Sequence, residues 1–131
     1  VQSVFKDWKF TLPDTVAGFA LHGQYKILEE IELPKDKKSR EDIAIDLKDF
    51  TISLMRNGKV LETGRAENIL GEGPIKALRA YVNFCSDNEE WLQLDSIITT
   101  GTVTDAYDMK KDLSFSINVD KFDLATHTLN L

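Results

Sequence analysis

The sequence predicts a mostly β, α+β domain rich in antiparallel pairing, with one longer helix and one short one. Three observations carry that expectation. Asn57-Gly58 supplies the two positive-φ positions of a tight hairpin turn, between the alternation Phe50/Ile52/Leu54 and a returning strand at residues 60–64. Residues 113–119 place Leu, Phe, Ile and Val at every second position, the period of a strand with one buried face. Ile75, Leu78, Val82 and Cys85 recur instead at helical spacing behind Gly73-Pro74.

Taken in order, residues 9–12 alternate polar with apolar as a half-buried strand does, and Pro13 ends it by removing a ladder donor. Asp14 or Thr15 then caps a short helix over residues 16–21, with Val16, Phe19 and Ala20 on one face and Gly23 as its stop. Residues 24–33 read as a strand, and 34–40, Pro-Lys-Asp-Lys-Lys-Ser-Arg, as a charged solvated loop. Ile43/Ile45/Leu47 alternates ahead of Phe50/Ile52/Leu54 and predicts a strand of its own. Pro74, whose missing N–H costs nothing at the first helical position, opens the longer helix, which runs to about Phe84. Residues 96–100 form a strand that delivers the chain into "TTGTVTDAY", residues 99–107, and residues 125–131 form the last strand.

A chain of 131 residues that is 42% hydrophobic can build one packed core and is too short for two, so residues 1–131 read as a single domain. Sixteen basic against twenty-two acidic side chains leave a net charge of −6, which repels phosphate backbones and acidic membranes and disfavours both as partners. The single cysteine, Cys85, excludes an internal disulfide, and with two histidines no zinc cluster of Cys and His can be assembled. A reducing, cytoplasmic setting fits. No apolar run approaches the ~18 to 20 residues that span a bilayer, so a soluble protein is expected. The chain begins at Val1 and enters at once on Val4-Phe5-Lys6-Asp7-Trp8, which reads like the middle of a domain and is expected of a processed start or of a fragment of something longer.

Four stretches, "DWKFTLPDTVA", "DLKDFTISLMRNGKVLETGRAENILG", "GPIKALRAYVN" and "LDSIITTGTVTDAYDMKKDLSFSI", occur in an order that resembles the carboxy-terminal half of the 2-keto-4-pentenoate hydratase and oxalocrotonate decarboxylase family, within the fumarylacetoacetate hydrolase-like superfamily. The likeness covers nearly the whole chain. It implies a β-rich roll or sandwich and a magnesium or manganese ion held by three carboxylates of the amino half, chelating a 2-keto acid and draining charge from its enolate. A base from that half would move the proton, after which water adds across a conjugated double bond or carbon dioxide leaves. The family's metal ligands all lie upstream of Val1, so no cofactor, metal ligand or catalytic residue is assigned to this chain itself. Glu30-Ile31-Glu32 imitates the family's carboxylate pair but lies downstream of Asp14-Thr15, out of alignment. Gly18, Phe19 and Leu21 replace the polar residues that the family carries near its substrate, the Gly71-Glu72-Gly73-Pro74 loop is one residue longer, and Asp108 stands where proline is common.

The candidate substrate contacts are Thr100, Gly101, Thr102, Asp14 and Arg65. Hydroxyls and backbone N–H groups around Gly101 could grip a carboxylate, or could simply satisfy a turn. Asp14 is a helix cap or a substrate contact, and Arg65 pairs a substrate carboxylate or an ordinary acidic neighbour. His22 suits a helix end, His127 sits in the terminal strand away from any acid or thiol at motif spacing in the sequence, and Cys85 reads as a small core residue. The expected function is therefore a hydratase- or decarboxylase-like domain for small 2-keto acids, inactive as an isolated chain. The alternative is a non-catalytic binding or assembly module that keeps the fold. In either case self-association, or a second chain, is expected to cover apolar surface near residues 1–12.

Overall fold

The computed structural model, which describes residues 4–108 and 110–130, divides the chain into two compact units, Val1–Glu30 and Ile31–Leu131. The larger is built on the hairpin. Asn57 and Gly58 take φ of 51° and 75° and turn β1 (Thr51–Arg56) back into β2 (Lys59–Arg65). Asn57 also fastens the turn to the next strand: its N–H donates to the Ser114 carbonyl at 2.8 Å and its Oδ1 accepts the Ser114 N–H at 2.9 Å. That strand, β3 (Ser114–Val119), lies antiparallel to β1, and β4 (His127–Asn130) antiparallel to β3, giving a four-stranded sheet of order β2-β1-β3-β4. Leu131 lies outside the described residues. At the far end of β1, Asp120 Oδ1 accepts the Thr51 N–H at 2.7 Å, a bond that holds its carboxyl below the usual range.

Register places Ile52 opposite both Val119 and Gly64, and Leu54 opposite both Ile117 and Glu62, so all six share one face of the sheet. Beyond the end of β2 the chain makes a 3-10 turn, Ala66–Asn68, whose Ala66 packs with Phe50 and Ile69 as a buried cluster. Ile52, Ala77, Val103, Val119 and Phe122 close around it, with the Phe50 and Phe122 rings 6.5 Å apart. Ala77 belongs to α3 (Pro74–Asp87), the longer helix that the sequence predicts, with Pro74 in its first turn and Cys85 buried on its apolar side.

Two sequence expectations fail in this unit. Ile43, Ile45 and Leu47 do not form a strand; residues 37–46 are a helix, α2 (Lys37–Asp46), and Leu47 is its C-cap. Ile43 and Leu47 are four apart and fall on one helical face, whereas Ile45 points to water, an assignment that strand alternation inverts. The start signal was Asp36, whose carboxylate accepts the Ser39 N–H at 2.8 Å, inside what reads as a solvated loop. Residues 96–100 are irregular chain without a ladder.

In the smaller unit, residues 9–12 are not a strand. Thr11 is the N-cap of α1 (Leu12–Ala17), Pro13 sits in its first turn, and Gly18 ends it before a 3-10 turn at Phe19–Leu21. The cap therefore lies upstream of the expected Asp14 or Thr15, and the stop is Gly18 rather than Gly23. The predicted strand over residues 24–33 crosses from the first unit into the second as extended chain without a ladder; Tyr25, Ile27, Leu28, Ile31 and Leu33 all stay exposed. Alternation alone makes no strand where no neighbour supplies the hydrogen bonds. The described residues form three α-helices in place of the two expected, one in the smaller unit and two in the larger, and none of them is long and apolar enough to cross a membrane.

Phe50 is the ring on which this core turns, 7% exposed, whereas Phe84 on α3 is 54% exposed. Phe50→Ala is expected to remove about 3 kcal/mol of stability, and Phe84→Ala about 0.5 kcal/mol or less. Urea titration checks both through the midpoint at unchanged slope.

Candidate functional site

The threonine-rich stretch lies along the inner face of the hairpin. Gly64 in β2 is buried, and a Cβ there would strike the backbone carbonyl of Val103. Only a residue without a side chain admits so close an approach. The same Val103 carbonyl accepts a hydrogen bond from Asn68 Nδ2 at 2.7 Å. Two residues before Gly64 and on the same face, the Glu62 carboxylate accepts the Asp105 N–H at 3.1 and 3.2 Å and the Tyr107 hydroxyl at 2.6 Å. Residues 103, 105 and 107 are thus pinned in turn against β2. The hydrogen bond to Glu62 raises the Tyr107 phenol above its ordinary pKa of 10.0, helped by partial desolvation and by the Glu62 and Asp105 charges, with Arg56 opposing.

Upstream of that anchor the chain carries the candidate contacts. Gly101 takes φ of 121°, a conformation closed to other residues, while a Cβ there would meet the Ile69 side chain no closer than 3.5 Å. Backbone conformation, rather than room, requires the glycine. Thr100 is half-buried, and Gly101 and Thr102 are exposed. Thr100 lines a groove of about 550 Å³ together with Ala77 and Tyr81 of α3 and residues 91–93 and 96–99. Trp91, 91% exposed, stands on its wall and also lines a neighbouring groove with Val82, Cys85, Ser86, Glu89, Glu90 and Leu92. The Cys85 thiol, through a hydrogen bond and then its charge, raises the Tyr81 phenol above its ordinary 10.0.

Arg65 is not brought to this groove. Arg65 lies 3.9 Å from Glu67 with both side chains mostly exposed, an ion pair of little energetic weight. It lines a separate polar concavity of about 280 Å³ with Lys48, Asp49, Asp120 and Lys121, where Lys121 pairs Asp49 at 3.3 Å. Asp14 belongs to the smaller unit, where its Oδ2 accepts both the N–H and the hydroxyl of Thr11 at 2.8 Å. Those bonds lower its pKa from 3.8, so its contribution to α1 is present above that value and is lost as pH falls through the folded-state pKa. His22 stacks loosely on Tyr25 at 6.0 Å, His127 pairs with Ile117 in the sheet, and Glu30 and Glu32 are exposed on the extended segment.

The resemblance implies a hard divalent cation, which needs several oxygen ligands converging on one point. Among the described residues no three His, Cys, Asp or Glu side chains come together in that way, so the donor set does not fit such an ion and no step is derived through one. Sequence reasoning missed Glu62, Tyr107, Asn68, Tyr81 and Trp91. Two signals point to Glu62, an acid at a core-facing position of a strand and a glycine two residues later in the same strand; no local pattern marks the other four.

No protein-family profile matches the chain. It is 26% identical over 119 residues to a 4-oxalocrotonate decarboxylase of Pseudomonas sp, an alignment covering 91% of this chain. The chain spans 42% of the length of that curated relative.

Gly64→Ala should lower stability by about 2 kcal/mol, because the displaced backbone is the Val103 carbonyl and not a flexible side-chain tip; urea denaturation reads this. Glu62→Gln should lower the Tyr107 titration midpoint, seen as one of the three phenols shifting in the absorbance titration near 295 nm. A raised phenol pKa means that the neutral form is favoured by the fold. The contribution of this pair is therefore complete below pH 10.0 and is lost as pH rises through the folded-state value of Tyr107.

Proposed function

We propose that this chain is the substrate-contacting, carboxy-terminal part of a hydratase- or decarboxylase-like protein acting on 2-keto acids, and that it turns nothing over by itself. The observation that carries this reading is positional. In a chain alignable over 91% of its length with an oxalocrotonate decarboxylase, Thr99 and Thr100 line a groove, and the exposed Gly101 and Thr102 connect them at once to a firmly pinned anchor. Hydroxyls of Thr100 and Thr102 and the N–H groups around Gly101 are donors suited to a carboxylate and its neighbouring keto oxygen, hydrogen bonds strengthened by the ligand's charge. The conformation of Gly101 presents backbone rather than side chain to that ligand. An enolate-stabilising cation would draw its ligands from outside the described residues.

A second reading, a binding or assembly module, is favoured by Gly18, Phe19 and Leu21, which cannot hydrogen-bond a carboxylate, and by Phe19 standing 84% exposed. A second copy or second chain covering Val4, Leu12, Val16 and Phe19 of the smaller unit belongs to either reading. Analytical ultracentrifugation that finds a strict monomer at high concentration removes the second copy and leaves a different chain as the only such partner.

The decisive pair of experiments uses the purified chain. With 2-hydroxypenta-2,4-dienoate and magnesium or manganese it should show no turnover above buffer; a rate comparable to a complete hydratase refutes the claim of inactivity. In isothermal titration with 2-oxopentanoate, the double variant Thr100→Val/Thr102→Val should bind about tenfold more weakly or worse, the loss of one to two charge-assisted hydrogen bonds. Equal affinity in the variant refutes the substrate role and leaves the module.

A further inference from the structure

The groove beside Thr100 carries information about the far end of its ligand. None of its described lining residues is charged: Tyr81, Gln93, Ser96 and the threonines offer neutral polar groups, and Trp91, Leu92, Ile97 and Ile98 supply the apolar walls. Negative charges adjoin it: Glu89 and Glu90 line the neighbouring groove that shares Trp91 and Leu92, the charge of Glu90 reaches the Tyr81 phenol, and Asp95 directly precedes Ser96 in the chain. The cations closest in sequence or in neighbouring concavities are engaged away from it. Arg65, Lys48 and Lys121 line the separate concavity, and Lys76 is tied to Glu72 at 2.7 Å. Arg79 lies some 200° around α3 from Ala77, on the side opposite the groove.

We infer that this groove takes the uncharged tail of a 2-keto monocarboxylic acid and rejects a tail that ends in a second carboxylate, as the tail of oxalocrotonate does. The inference rests on the reading of Thr100 to Thr102 as the contact for the keto-acid end, and adds the substrate class. A carboxylate entering the groove would shed water without gaining a cation from its lining, which weakens its binding. The acidic rim adds repulsion on approach. An alkyl or alkenyl tail instead covers the exposed indole of Trp91 and the side chain of Ile97.

The test is a nitrogen-15 NMR titration of the full chain with 2-oxopentanoate, 2-oxohexanedioate and pentan-2-one, following amides of residues 91–102. The expected result is binding of 2-oxopentanoate at least about tenfold tighter than 2-oxohexanedioate, with the gap narrowed in Ile97→Lys, which places a cation on the wall. Equal or tighter binding of the dicarboxylate overturns the inference while leaving the keto-acid reading intact. Shifts with pentan-2-one but with neither acid support the neutral groove and overturn the keto-acid reading. No shift with any of the three overturns both.

Discussion

The larger unit depends on one close approach, the backbone of Val103 against the bare Cα of Gly64. Any side chain at position 64 would hold the incoming segment away from the sheet. Val103 would then leave the cluster of Phe50, Ala66 and Ile69, and the carbonyl that Asn68 now holds at 2.7 Å would lose its donor. The described residues between α3 and β3 include no regular element, so the segment takes its position from contacts such as this one. The groove beside Thr100 is consequently a product of the hairpin. Its floor is irregular chain whose placement is borrowed from a strand some forty residues earlier.

Glu62 makes the second half of the anchor, and at first sight it is misplaced. It shares the sheet face with Ile52, Leu54, Ile117 and Val119, where an unpartnered carboxylate would be heavily penalised. Its oxygens instead take the Asp105 N–H and the Tyr107 hydroxyl, so the acid completes a polar seam between sheet and loop. Donors to an ionised acceptor are stronger than neutral pairs, and here the benefit falls on a segment with no ladder to hold it. The seam binds residues 103, 105 and 107 across a bend at Val103 and Thr104, and Thr102, just ahead of it, is exposed.

How much of this was legible in the sequence follows from the range of each determinant. The hairpin was readable because Asn-Gly dictates its own backbone, and α3 because Pro74 and four apolar positions agree on one period. Residues 43–47 were misread because three alternating apolar residues fit a strand and a helix equally at that length; the arbiter was Asp36 capping through Ser39, a polar signal in a stretch that composition marks as loop. Asp14 illustrates the reverse: its capping role is local and therefore legible, but the cap residue proper is Thr11, with Asp14 completing the capping box. Thr100 could be found from its glycine neighbour. Its separation from Arg65 could not, since the side of Ala66 on which Arg65 falls is decided by pairing with β1. Glu62 and Tyr107 are 45 residues apart, and no local pattern joins them.

The distribution of apolar surface bears on how such a site can work. The buried apolar residues are few, Phe50, Ala66, Ile69, Cys85 and Phe115, while Trp91, Leu94 and Ile97 stand open along the irregular segment. Burial and hydrogen bonding therefore concentrate on the sheet and on the anchor at residues 103–107, and the stretch leading to Thr100 has little of either. Regions with few buried contacts sit at the low end of local stability. A ligand lying against Trp91 and Ile97 would provide contacts that the chain itself lacks, so part of its binding energy would go to ordering the wall it binds. The firm anchor keeps that ordering local: residues 103–107 are already fixed to β2, and only the chain upstream of Gly101 remains to be set. The glycine stands at the join between the two regimes, and its left-handed φ lets an anchored strand-like segment continue into an adaptable one.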